Sequence, residues 1–187
     1  MRLFGGGEEF AKKKDVVNPN LFVGSKDFTG NWINMALVQQ KDKYLDFTAI
    51  CNVRPWNGIA QYIVVNKGDT FTASAYVKAD AGFSFRWYVT LNADGEAGYK
   101  KVDVNPSSAA INGTGNWQKT SITFTVTGDS GAIKPRLEGD GSKSFWVAGM
   151  KLERGTVATP WCPAYSDYAM KSDLDALRAE IEQLKQK

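Results

Sequence analysis

Histidine is absent from the 187 residues, and that absence bounds the chemistry first. The commonest general base and the commonest zinc ligand are missing, and with them every Ser-His-Asp or Cys-His arrangement. Carboxylates remain for acid–base work. Two close pairs exist, Glu138-Gly139-Asp140 and Asp94-Gly95-Glu96, and paired carboxylates can hydrolyse glycosidic bonds. Each pair straddles a glycine, the composition of a hairpin turn, so no enzyme is expected and no catalytic residue is assigned. Asp and Glu near strand ends are oxygen donors of the kind calcium takes, but no EF-hand-like spacing supports a site. No cofactor and no metal is expected.

Non-covalent recognition has better material. In "FSFRWYVTL" (83–91), Phe83, Phe85, Trp87, Val89 and Leu91 share one face, and Ser84, Arg86, Tyr88 and Thr90 the other. In "AIKPRLEG", Ile133, Pro135 and Leu137 alternate with Lys134, Arg136 and Glu138. If the two strands are neighbours in one sheet, Arg86, Tyr88, Arg136 and Glu138 form a mixed patch of ring, guanidinium and carboxylate. Trp56, in the loop-like "RPWNG", would stand at its rim. A plainer reading stays open: Arg136 and Glu138 as a surface ion-pair row of little energetic value, Tyr88 as sheet cover, and Trp56 as a cap on the core. Trp87, Trp117, Trp146 and Trp161 read as core or sealing residues.

The elements that must position these residues are strands. Aromatics are 12% of the chain and glycines number 18, which suits many pleated strands joined by many turns. The chain reads as strand-like from Asn18-Pro19 onward. "YLDFTAICNV" (44–53) alternates with Leu45, Phe47, Ala49 and Cys51 on one face. "QYIVVNKGDTFTASAYVKAD" is two strands around Asn66-Lys67-Gly68-Asp69. "WQKTSITFTVT" (117–127) places Ile122, Phe124 and Val126 inward, and "SFWVAGMKLE" closes the series. Short strands at regular spacing without a helical period predict a β-sandwich or barrel. The two cysteines, Cys51 and Cys162, are too few for a disulfide scaffold; they are read as free thiols, with a pairing of the two left open by the sequence.

Residues 1–17 read as a flexible arm: Gly5-Gly6-Gly7 gives freedom, Lys12-Lys13-Lys14 a solvated charge run, and Phe4 and Phe10 are read either as part of a floppy end or, the preferred reading, as plugs for a partner's groove. No apolar run reaches the roughly 18 residues of a membrane span, and the N-terminus lacks the apolar segment of a signal peptide. A net charge of +3 is too mild to imply nucleic acid. Neither a membrane nor a nucleic acid is an expected partner.

After Pro163 the period changes. Met170, Leu174, Leu177, Ile181 and Leu184 are spaced four, three, four, three, a heptad seam with Leu174 and Ile181 at a and Met170, Leu177 and Leu184 at d. Ser172 with Asp175 resembles a capping box, and Ser166 is an alternative cap. In a parallel pairing Asp173 meets Arg178 of the neighbour and Glu180 its Lys185. The alternative is an amphipathic helix folded onto its own domain. The narrow stripe favours self-association, and so does the length, because isolated helices below about 12–15 residues are marginal.

Three segments carry a resemblance: "NPNLFVGSKDFTGNW" (18–32), "GDTFTASAYVKAD" (68–80) with "GNWQKTSITFTVTG" (115–128), and "KLERGTVATPWCPAYSD" (151–167). Together they resemble the carbohydrate-binding-module-like β-sandwiches of tail and baseplate proteins of phages that infect Gram-positive bacteria. Cys162 departs from the small polar residue more usual in the closing segment. The resemblance covers nearly everything except the arm and the helix, and implies a jelly-roll-like sandwich, placed at residues 18–165, a virion location and often a trimer; the oligomerising helix over 166–187 rests on the heptad spacing. In such a virion protein the arm is expected to dock on other virion proteins, and a host cell-wall saccharide is the expected ligand. On such a sandwich, Trp56, Arg86, Tyr88, Arg136 and Glu138 are the expected glycan contacts. A head fibre or decoration protein with an inert sandwich is the alternative. Trp161, held between prolines, is expected to fold back over an open end of the sandwich.

Overall fold

The computed structural model describes residues 18–38, 40–52, 55–91, 107–127, 131–168 and 171–185. Residues 1–17, with the expected arm, lie outside the described residues, as do Asp94, Glu96 and Met170. The strands are β1 (Gln40–Tyr44), β2 (Phe47–Asn52), β3 (Ile63–Val65), β4 (Thr70–Ala79), β5 (Ser84–Leu91), β6 (Ile111–Asn112), β7 (Trp117–Thr125), β8 (Gly131–Gly139) and β9 (Phe145–Arg154), followed by α1 (Lys171–Lys185). They form two antiparallel sheets, β1-β2-β9-β4-β7 and β3-β8-β5-β6. The β-sandwich is as expected.

The core lies between the sheets. Phe71, Ala73, Ala75, Val77 and Ala79 of β4 meet Phe85, Trp87 and Val89 of β5 and Ile133 and Leu137 of β8 in one buried cluster. Period-two alternation delivers these rows. β9 alternates as well, but its parity flips midway. Phe145 and Val147 face the core, then Met150 and Leu152 do. A register shift opposite Ser74 and Tyr76 marks a bulge, and Gly149 takes a left-handed φ of 55° beside it. The flip places Trp146 and Ala148, and then Lys151 and Glu153, on the outer face.

Three expectations are corrected. Residues 18–38 hold no strand; they form turns and one short 3-10 helix, Met35–Leu37. Phe22, Phe28 and Trp32 of this segment nevertheless enter the core. Asn20 ties the segment down in place of a strand ladder. Its Nδ2 donates to Met150 O (2.9 Å) and Ser25 Oγ (2.8 Å), and its Oδ1 accepts from Leu152 N (3.0 Å) and Phe22 N (2.9 Å). The expected strand 44–53 is instead the end of β1 at Tyr44, a turn at Leu45 and Asp46, and β2, a hairpin with Tyr44 opposite Phe47; Val53 lies outside the described residues. Leu45 sits in the turn at φ 52°, exposed.

The third correction concerns Trp161. It does not close an end of the sandwich but lies on the outer face of the five-stranded sheet, edge-on to Phe47 at 5.1 Å. There it joins Tyr44, Tyr76, Trp117 and Trp146 over Phe47, Ala49 and Ala148, and its indole N–H donates to Ser25 Oγ (3.1 Å). Below the same segment, Lys151 and Glu153 are almost wholly buried and 3.1 Å apart. Thr159 completes them: its N–H and hydroxyl donate to Glu153 (2.8 and 2.6 Å), and Lys151 Nζ donates to Thr159 Oγ1 (2.6 Å) and Pro160 O (2.9 Å). Cys51 and Cys162 are both free.

Candidate functional site

β5 and β8 are neighbours, with Arg86 opposite Glu138 and Tyr88 opposite Arg136. Because Phe85, Trp87 and Leu137 are committed to the core, these four side chains must share the outer face of the four-stranded sheet. Arg136 Nε donates to Glu138 Oε1 at 2.5 Å, and its guanidinium lies 5.2 Å from the centre of the Tyr88 ring, within cation–π range. Arg86 is exposed. Glu138 is buried, and that burial pushes its carboxyl above the ordinary glutamate range despite the opposing pull of Arg136 and Arg86.

The loop before β3 brings in the indole. Trp56 N donates to Gly139 O (3.0 Å), and Asn57 Nδ2 to Pro55 O (2.9 Å). Gly58 lies so close to β8 that a Cβ there would collide with the Leu137 carbonyl and the Arg136 side chain; only glycine lets the loop come flush. Trp56 itself has φ 57°, a left-handed conformation costing on the order of 1–2 kcal/mol in a residue with a Cβ, and its ring is 52% exposed. Trp56, Arg86, Tyr88, Arg136 and Glu138 line one groove of about 380 Å³.

The sequence reading missed two neighbours. Lys134 stands on the same β8 row, nearly buried, with its ammonium 5.0 Å from the Tyr62 ring centre. Alternation signalled Lys134; nothing signalled Tyr62, which precedes its strand. The acidic pair at the end of β8 is divided: Glu138 is buried against Arg136, while Asp140 is exposed in the turn and accepts from Ser142 N (2.8 Å). Among the described residues no group of His, Cys, Asp and Glu is placed to hold a metal ion. The groove therefore has one exposed ring, one exposed cation, and a paired cation and carboxylate. Those groups suit stacking and hydrogen bonding to a polyhydroxylated ring.

On α1, Leu177, Ile181 and Leu184 are 56%, 46% and 64% exposed; the side chain of Leu174 lies outside the described ones. Arg178 and Lys185 pair within the helix with Asp175 (3.9 Å) and Glu182 (2.9 Å). No described helix is long and apolar enough to cross a membrane.

Several solved structures are similar to this chain. A tandem of two modules from Paenibacillus barcinonensis Xyn10C, described as CBM22-1-CBM22-2, is 15% identical, with TM-score 0.49, covering 76% of this chain and 46% of that one. A family 16 carbohydrate binding module is 15% identical, TM-score 0.47, covering 65% and 89%. The tripod from the baseplate of bacteriophage Tuc2009 is 15% identical, TM-score 0.46, covering 82% and 61%. No curated protein sequence matches. Residues 30–143, more than half of the chain, match the carbohydrate binding domain family CBM_4_9, and the chain belongs to that family.

Proposed function

We propose that this protein is a non-catalytic saccharide-binding protein of a phage virion, and that the groove on the four-stranded sheet is its binding site. The observation that carries the reading is the convergence of Trp56, Arg86, Tyr88, Arg136 and Glu138 on one groove in a chain of a carbohydrate-binding family. The exposed face of Trp56 stacks on the apolar face of a sugar ring. Arg86 donates to its hydroxyls, and the Glu138 carboxylate accepts from them between two guanidinium groups. Affinity at one shallow groove is low. Self-association through the α1 seam, as a trimer by resemblance, raises the effective concentration of grooves at a cell surface. The N-terminal arm holds the assembly to other virion proteins.

The test is a glycan array and a host cell-wall pull-down with the full chain and with Trp56→Ala. Loss of the ring is expected to cost about 2 kcal/mol or more, roughly 30-fold, as at a binding hot spot. Binding to neither the array nor intact host cells removes the adhesion claim. Light scattering on the full chain and on a chain ending at Tyr165 tests the seam: an oligomer that becomes monomeric supports it, and a monomeric full chain ends it. One observation favours a second reading, a structural head fibre or decoration protein. Arg136 and Glu138 are mostly buried and paired with each other, as in an inert surface. A wild-type chain that oligomerises but binds neither the array nor intact host cells would select that reading.

A further inference from the structure

A second groove, of about 430 Å³, lies on the other sheet. Three segments build it: the end of β4 (Lys78 to Asp80), the turn before β7 at Gly115, and the β8–β9 connection at Lys143 and Ser144, with Trp146 beside them. The turn is fixed against β4. Gly115 N donates to Ala79 O (2.8 Å), and a Cβ on Gly113 would strike the Asp80 carbonyl. The groove is therefore held in shape by backbone.

Its side chains are of the kind that bind sugars. Lys78 is the cross-strand neighbour of both Trp146 and Trp117. Trp117 is stacked on Tyr44 at 4.0 Å. Trp146 is half-buried and, among the described residues, forms no ring pair and gives its indole N–H to no acceptor. The indole N–H groups of Trp32 and Trp161, by contrast, are bonded to Thr29 O and Ser25 Oγ. The Trp146 N–H is open to solvent, unlike that of Trp87, which is buried without a partner among the described residues. Lys143 and Asp80 are 3.6 Å apart and more than half exposed, a pair that holds itself weakly. Lys78 is exposed, with no ion pair among the described residues. Two ammonium groups against one carboxylate leave the groove net positive.

We infer that this is a second saccharide site and that its ligand is an acidic sugar. The Trp146 ring packs on the apolar face of a pyranose, Lys78 meets the ligand carboxylate, and Asp80, Lys143 and Ser144 take its hydroxyls. The site does not depend on what the first groove binds, since the two lie on different sheets.

Calorimetric titration of the full chain with oligogalacturonate, and with cello-oligosaccharide as a neutral control, tests it. Oligogalacturonate is expected to bind Trp56→Ala as well as it binds the wild type. Lys78→Ser/Lys143→Ser, two changes at exposed positions, is expected to weaken that binding by about tenfold or more, with an unchanged urea midpoint showing that the variant is folded. Trp146→Phe, which keeps an aromatic in the cluster, is expected to weaken it as well. The inference is overturned if oligogalacturonate does not bind the wild type, if its binding vanishes in Trp56→Ala, or if the lysine variant binds it unchanged. The first groove is judged separately by the effect of Trp56→Ala on the array and on host cells.

Discussion

Replacing Glu153 by Gln should be among the most damaging single changes this chain can suffer. Gln keeps one acceptor oxygen, so it can hold either the Thr159 N–H or the hydroxyl, which now bond the two different oxygens of Glu153 at 2.8 and 2.6 Å, but not both. It cannot neutralise Lys151, whose side chain is 1% exposed and 3.1 Å from the carboxylate. An uncompensated buried charge costs about 3–5 kcal/mol, a large share of the 5–15 kcal/mol that holds an ordinary domain folded. With a urea m-value of about 1–3 kcal/mol/M, the midpoint followed by tryptophan fluorescence should fall by at least about 1 M. Lys151→Met/Glu153→Leu removes both charges and should recover most of that loss, since apolar replacements of buried pairs are often neutral or stabilising. A midpoint in Glu153→Gln within about 0.3 M of wild type, or a double variant as unstable as the two single losses added together, would refute the reasoning.

Three further expectations concern the turn, the thiols and the groove. Leu45→Gly relieves a left-handed φ of 52° and should stabilise the chain by up to about 1 kcal/mol, part of the gain being offset by the entropy of an unfolded glycine; a fall in thermal midpoint would contradict it. Cys51 is buried and its thiol is pushed up by that burial, whereas Cys162 is half-exposed; a thiol reagent should titrate one cysteine in the folded chain and the second only with unfolding, and equal rates would count against this. Glu138 binds its proton more tightly folded than unfolded, so its contribution is fully present below the unfolded value near 4.5 and is lost as pH rises through the higher folded value. Wild type should thus lose stability relative to Glu138→Gln as pH rises above the unfolded value near 4.5, and a relative gain on raising the pH would reverse the assignment.

What was legible in the sequence follows from how many faces of an element meet water. β5 and β8 each have one apolar and one polar face, so alternation alone put Arg86 and Tyr88 on one polar row and Arg136 and Glu138 on another; that the two rows are neighbours is given by the strand pairing. β2 is covered on both sides, Ile50 by the main core and Phe47 and Ala49 by the outer aromatic cluster. Its pattern could not say which face was which. The hairpin before it turns on Leu45 and Asp46, neither the glycine nor the asparagine that usually marks such a turn. β9 was readable as a strand, but the bulge at Gly149 reverses its faces, so Lys151 and Glu153 could not be placed. Trp161 was readable as a sealing residue because of its prolines. Where it lands depends on Ser25 and Phe47, both more than a hundred residues earlier in the chain. The helix α1 was legible from its heptad spacing, because a helix needs only local periodicity; Leu177, Ile181 and Leu184 are exposed on it, as is every other described side chain from Asp175 to Lys185.

Both ends of the sandwich are knotted at one spot. Asn20 bonds Met150 and Leu152 and bridges to Ala164, Cys162 Sγ reaches Asn18 O at 3.6 Å, and Asp167 accepts from Gly24 N at 2.9 Å. A tensile load applied between the first and last segments of the chain would pass from one to the other through this knot. The sheets, and the groove they carry, would hang beside the line of force rather than within it, and would keep their shape while the tether is pulled.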